Sequence, residues 1–444
     1  MDVLGMMRAR DERAARQAAL MKEFGLPLIS FTMNIAGPEK TNALIEQAFR
    51  LAARRLKDAL AASGIRLVHG EMHMKPSGPE GFFCVDGGVE AVKRLCVALE
   101  ERDKLGRLLD LDVLDREGGK LSREQLELPA RGCVICGKTG SYCAASRAHS
   151  AETLFEEAMG RIAAALDAEA DEAIAALAAR ALLTELAVTP KPGLVDRNNN
   201  GAHRDMDCHT FMASAAALQP YFSACARLGR ELGAGEECFQ QLRLEGMLAE
   251  GKMLRANGGV NTHKGAIFTL GILAAAAGHL VKQGLAPGPK NLSAAAIAMT
   301  ATALEQERAA LSAARTYGEA LMRGRLSGAR AEAAAGFPTV MGHGLPALDG
   351  ALGQGLTRDE AGARALLVIM LKAEDTVLLR RAGEQGAREA LARVKAALVG
   401  GARPRDLLEL DQYFISEGLS PGGSADLLAA VFFVRYLREL SKEQ

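Results

Sequence analysis

Hydrophobic positions recur with two different periods along this chain. Between residues 26 and 115, short apolar runs carry β-branched and aromatic residues: Leu28-Ile29-Ser30-Phe31-Thr32, Ile65-Arg66-Leu67-Val68 and Phe82-Phe83-Cys84-Val85. Helical stretches separate them, as at 42–60. Strands mixed with helices predict an α/β or α+β domain. From Glu152 the period becomes helical. Leu154, Phe155, Ala158, Met159, Ile162, Ala165 and Leu166 fall on one face at steps of three and four. Thr153 with Glu156 reads as the capping box of that helix. Helical spacing returns at 295–304, 360–379 and 427–440, and strand-like runs are scarce. The second half therefore predicts an all-α domain. No Pro/Gly linker marks the boundary, so the expected domains, 1–165 and 166–444, are joined by helix.

The 444 residues are 49% hydrophobic, enough for sizeable cores. Lys+Arg and Asp+Glu number 54 each, which excludes the uniform basic field of a non-specific nucleic-acid binder. The longest apolar stretches, 365–371 and 427–434, are too short to span a bilayer. No apolar signal segment follows Met1. These features predict a cytoplasmic protein without nucleic-acid or membrane partners. Cys84, Cys96, Cys208, Cys225 and Cys238 are scattered, mostly among apolar neighbours, and read as reduced, buried side chains.

Candidate chemistry in the first half is of two kinds. If 108–114 is a strand, its period of two puts Asp110 and Asp112 on one face and Leu109, Leu111 and Val113 on the other. Paired carboxylates suit Mg²⁺, the ion that bridges nucleotide phosphates; a solvated edge strand is the plain alternative. The turns Ile35-Ala36-Gly37-Pro38-Glu39-Lys40 and Ser77-Gly78-Pro79-Glu80 are loop signals. Lys40 is placed to meet a phosphate and Glu80 to add a metal ligand. Cys133, Cys136, Cys143 and His149 form a C-x₂-C-x₆-C-x₅-H pattern. Three thiolates and an imidazole suit a structural, tetrahedral Zn²⁺; a reduced, metal-free cluster is the alternative.

In the second half, polar residues gather in three turns. Glu185 sits near a helix end that Pro190 must stop, and the Pro-Lys-Pro-Gly turn stiffens the backbone around Lys191. Asn198–Asp207 follows, with Asp205 and Asp207 as Mg²⁺ candidates. Gly258-Gly259-Val260-Asn261-Thr262-His263-Lys264-Gly265 precedes an apolar helix, a plausible phosphate cradle that is not a P-loop. Ser420-Pro421-Gly422-Gly423-Ser424-Ala425-Asp426 opens another helix, to bind phosphate or simply to be capped by Ser424. Arg330, Glu332, Asp375 and Arg381 lie in or beside helical segments.

Residues 5–160 resemble the apo-citrate lyase phosphoribosyl-dephospho-CoA transferase family. The likeness lies in Ser30–Ile35, Gly37-Pro38, Lys40, Gly78-Pro79-Glu80, Gly106-Arg107-Leu108, Asp110–Val113 and the Cys133–His149 segment. Ala145 replaces an arginine usual in that family. From about 175 onward the chain resembles triphosphoribosyl-dephospho-CoA synthase through Thr189–Asp196, Asn200–Asp207, Gly259–Phe268, Gly336-Phe337-Pro338 and Ser420–Asp426. Ala331 stands where that family often has glycine, and Val377 where it has asparagine.

The resemblance implies a nucleotidyltransferase-type first domain and a bifunctional transferase. ATP and 3′-dephospho-CoA would give 2′-(5″-triphosphoribosyl)-3′-dephospho-CoA and adenine, the ribose 2′-hydroxyl attacking C1′ of ATP. The product would then pass to a serine of the citrate lyase acyl-carrier subunit, with release of pyrophosphate. Asp110 and Asp112 would serve the transfer, with Lys40 and Arg107 on phosphate. In the synthesis, Glu185, Asp205 and Asp207 are candidates for base and Mg²⁺ ligands. Lys191, His263 and Lys264 are candidates for the phosphate clamp, with His263 protonating adenine. Asn199, His203, Asn261, Arg330, Arg381, Gly422, Gly423 and Ser424 are further nucleotide-binding candidates. The alternatives are the equivalent enzyme of malonate decarboxylase and a non-catalytic, zinc-stabilised nucleotide-binding scaffold.

Overall fold

Alternation along the first half folds into one antiparallel sheet. In the computed structural model, which describes residues 3–310 and 327–443, strands β1 (Leu28–Met33), β2 (Arg66–Lys75), β3 (Gly78–Asp86) and β4 (Leu109–Leu114) form a four-stranded sheet in the order β2-β3-β1-β4. Ile29, Phe31, Phe83, Leu111 and Val113 share one face and bury against the Ala43–Ala62 and Val89–Glu101 helices. On the other face Leu28, Phe82 and Cys84 pack under Leu20 of the Val3–Phe24 helix. Thr32 pairs with both Glu80 and Asp110, and Ser30 with both Phe82 and Asp112. Glu80 and the two aspartates therefore share that second face. Glu80 and Asp110 stand two strand spacings apart on it, about 10 Å between their Cα atoms.

The Gly78-Pro79-Glu80 loop signal differs from what forms. Gly78 turns the chain at φ 110° and all three residues begin β3. The proline stands at the strand's start, where its missing N–H costs least. Glu80 is buried and ion-paired with Arg13 at 2.7 Å and Lys75 at 3.0 Å.

The chain divides into two units, Met1–Ala168 and Glu169–Gln444, and the division falls within the Ala151–Ala187 helix. Ser150, one turn earlier than the expected Thr153, caps that helix: its hydroxyl accepts from Thr153 N at 3.0 Å. Beyond it the described residues of the second unit are helical, without strands. The Lys264–Lys282 helix is its centre, with Ala274, Ala275, Ala276 and Ala277 fully buried. It crosses the Cys208–Leu232 helix at backbone contact. A Cβ on Gly229 would overlap Ala275, and one on Gly278 would overlap Ala226. The Lys264–Lys282 helix is long and apolar enough to cross a membrane, but 72% of its apolar window is buried inside the protein.

The periodic run at 360–379 is not one helix. Arg358–Lys372 opens on a Thr357/Glu360 capping box, and Thr376–Val399 opens on Asp375. Asp375 accepts from Val377 N and Leu378 N, both at 3.0 Å, so a new helix starts where apolar spacing alone continues the old one.

Candidate active-site cavity and thiol cluster

The helical unit encloses a cavity of about 550 Å³. Five stretches line it: Glu185 and Lys191; His203 and Asp205; Asn261, His263 and Lys264; Arg381; and Gly422 with Gly423. Lys191, His203 and Lys264 thus meet in one place.

The floor is a buried ion pair. Lys191 is 1% exposed and donates to the Glu185 carboxylate at 2.5 Å and the Glu185 carbonyl at 2.8 Å. Burial raises the Glu185 carboxyl against the pull of Lys191. Lys191 is therefore engaged by Glu185 rather than free to clamp a phosphate. Asp196 holds the turn that carries it, accepting from Lys191 N at 2.9 Å and Thr189 Oγ1 at 2.8 Å. Asp411 accepts from Gly193 N and Asn199 Nδ2, both at 2.9 Å.

The rim is polar and more open. His203 Nε2 lies 2.9 Å from Ser420 Oγ. Arg381 donates to the carbonyls of Ala202 at 3.3 Å and Gly418 at 3.0 Å, and lies 3.5 Å from His203 Nδ1. Burial, then Arg381, hold His203 below the ordinary histidine value. Asp205 is exposed in the cavity wall, and Lys264 is 63% exposed beside Glu250 at 2.6 Å. His263 lies deep, 3% exposed. Burial and the Lys191 cation push its pKa down to about 3. That favours the neutral imidazole over the imidazolium expected to protonate adenine.

Four more sequence candidates lie outside this cavity's lining. Asp207 caps the Cys208–Leu232 helix, accepting from Thr210 N at 2.8 Å and Thr210 Oγ1 at 2.7 Å. Asn199 braces its own loop through Asp411 and Gly201. Ser424 gives both its N–H and O–H to Asp375, at 2.7 and 2.8 Å, and does not cap its helix. Arg330 lines a smaller neighbouring cavity with Phe239, Phe268 and Arg243, which shares Lys264 with the main one. Local geometry takes Asp207 and Asn199, whose short side chains accept from nearby backbone N–H groups, whereas Ser424 is tied to Asp375 from a remote stretch of the chain.

Four carboxylates in the wall were not assigned a role from sequence: Glu332, Glu374, Asp375 and Asp426. Asp426 lies against Gly265, where a Cβ would overlap its carboxylate. Burial, with Glu185 and Asp375 nearby, pushes Asp426 well above the ordinary carboxylate range. Val377, at the family's asparagine position, also lines the cavity and presents only methyl groups.

In the first unit, Asp110 and Asp112 project together from edge strand β4. Arg131 lies 3.5 Å from Asp110, and Lys120 lies 2.6 Å from Asp112. Burial and then Asp112 raise the Asp110 carboxyl, against Arg131. Two carboxylates with open faces fit an ion whose remaining ligands are water and substrate phosphate. Lys40 donates to its own loop at Ile35 O, 2.5 Å, and Arg107 to Gly132 O, 2.5 Å. Both are thus bonded to backbone carbonyls. Arg107 ties β4 to the cysteine loop.

The ligand atoms of Cys133, Cys136, Cys143 and His149 lie within 4.8 Å of one another. Burial raises the Cys133 thiol, but N–H groups of Cys136 and Ile135 and the neighbouring thiols outweigh it and bring it to about 7. Four soft and borderline donors converging this closely fit tetrahedral Zn²⁺.

Comparison with known proteins agrees with this division. Residues 171–444 match the family model ATP:dephospho-CoA triphosphoribosyl transferase. Residues 1–165 match that of apo-citrate lyase phosphoribosyl-dephospho-CoA transferase. The class is therefore a two-part transferase. Protein CitXG of Leuconostoc mesenteroides subsp. cremoris is 32% identical over 98% of both chains. Protein CitXG of Haemophilus influenzae is 31% identical over 97% of this chain and 95% of its own. A probable 2-(5''-triphosphoribosyl)-3'-dephosphocoenzyme-A synthase of Albidiferax ferrireducens is 42% identical over 61% of this chain and 92% of its own. The chain belongs to the ATP:dephospho-CoA triphosphoribosyl transferase family, in the form fused behind an apo-citrate lyase phosphoribosyl-dephospho-CoA transferase domain.

Proposed function

We propose that the helical unit joins ATP to 3′-dephospho-CoA with release of adenine, and that the sheet unit transfers the product to a serine of the citrate lyase acyl-carrier subunit, releasing pyrophosphate. The observation that carries this reading is the single cavity in which exposed cations, two helix starts and buried carboxylates meet. Lys264 and Arg381 at the rim, with the N-termini of the Lys264–Lys282 and Gly422–Glu443 helices, suit a triphosphate. Attack of a hydroxyl on C1′ passes through an oxocarbenium-like state. Those carboxylates of the wall that stay ionised favour that positive centre. Asp205, exposed in the cavity wall, is assigned to take the attacking hydroxyl's proton or to hold Mg²⁺. Mg²⁺, held there and by Asp110 and Asp112, would neutralise phosphate charge.

The sheet unit is read as a nucleotidyltransferase-type domain working on the same intermediate, and its thiol cluster as a structural Zn²⁺ site. Both units act in the cytoplasm on this reading. ATP labelled in its ribose tests it. The label should appear first in a dephospho-CoA adduct and then on the carrier serine. Label that reaches the carrier of malonate decarboxylase in preference would reassign the recipient.

A further inference from the structure

We infer that His263 acts in the helical unit as a neutral hydrogen-bond donor to the departing adenine, its tautomer set by a buried chain of Asn257, Thr262 and Ser214. This rests on the synthesis reaction proposed above. Asn257 Nδ2 donates to Thr262 Oγ1 at 2.9 Å, and Thr262 donates to Ser214 Oγ at 2.8 Å. Ser214 Oγ lies 2.7 Å from His263 Nδ1. Each hydroxyl has one proton to give. With Thr262 giving its proton to Ser214, the Ser214 proton is directed at Nδ1, and the ring's own proton stands on Nε2. Ser214 is fully buried, and Phe211 packs edge-on to the imidazole at 4.9 Å, which holds the ring in place.

Nε2 is buried without a partner among the described residues, on a side chain that lines the cavity. Buried donors are almost always satisfied, so this one points to an acceptor supplied by the ligand. A neutral donor deep in the cavity suits an uncharged purine nitrogen. The phosphates are better served by the exposed cations at the rim. As the O2′–C1′ bond forms, the C1′–N9 bond breaks and its electron pair leaves on adenine. The hydroxyl proton goes to a cavity carboxylate and then to solvent, and adenine takes one proton from solvent. His263 keeps its Nε2 proton throughout and strengthens its bond as charge builds on the purine.

The test uses the intact chain. With ¹⁵N-labelled histidine, NMR should find His263 as the Nε2–H tautomer, and Ser214→Ala should weaken that preference. Ser214→Ala should lower kcat for adenine release about tenfold with little change in KM, as for a residue that orients another. His263→Ala should lower kcat about 100-fold. His263→Gln, whose amide N–H can replace Nε2–H, should retain more activity than the alanine variant. Circular dichroism checks that each variant folds. An Nδ1–H tautomer in the wild-type chain, or full kcat in a folded His263→Ala, overturns the inference. A wild-type chain that releases no adenine would instead overturn the proposed function and the donor role together, while the NMR still decides the tautomer.

Discussion

Gly193 has no room for a side chain. It sits at φ 67°, and a Cβ there would run into the Leu419 carbonyl. Gly193→Ala should strain the turn that carries Lys191, costing about 1–3 kcal/mol, read as a lower Tm. The Glu185–Lys191 pair makes a sharper prediction. Lys191→Met leaves a fully buried carboxylate without its cation, a loss of about 3–5 kcal/mol, whereas the double change with Glu185→Gln should cost far less. Urea denaturation of the three chains measures this.

Asp426 predicts a pH dependence. Its carboxyl is raised in the fold, so between the ordinary value near 3.8 and its folded value the native state holds a proton that the unfolded chain has lost. Stability from this group is full below that window and falls by about 1.4 kcal/mol per pH unit within it. Asp426→Asn should remove the fall. A wild-type and variant stability difference that stays constant from pH 4 upward contradicts the assignment.

Elements were read from sequence where a local period governs them. Alternation in Leu109–Val113 marked both the strand and its acidic face, because a strand's two faces follow directly from residue order. The helical stripe from Leu154 to Leu166 was equally plain. The break at Asp375 was missed because apolar spacing runs on through it. Its signal was an aspartate before a new apolar run, the ordinary mark of an N-cap. Asp207 carried the same mark and was read as a metal ligand instead. Asp426 had no local signal, since what matters about it is its packing against Gly265, far away in the chain. The thiol cluster was read from spacing, and its metal remains a prediction: purified protein should contain zinc, and Cys133→Ser should lose it along with order in the Cys133–His149 segment. Zinc-free protein with unchanged stability would contradict this.

At the scale of the molecule, two chemistries share one chain. Tethering raises the effective concentration of the intermediate at the second site. The sites remain separate in their residues, so Asp110→Asn should stop transfer to the carrier while adenine release continues at the wild-type rate. Loss of both in that variant would contradict the division of labour. The account depends above all on the cavity that gathers Lys191, His203 and Lys264 being the place where ATP loses its base. The direct measurement is chromatography of the purified chain incubated with ATP and 3′-dephospho-CoA. It should yield adenine in step with a triphosphoribosyl adduct, and neither when dephospho-CoA is omitted. ATP left intact, or cleaved to ADP or AMP with its glycosidic bond unbroken, would contradict it.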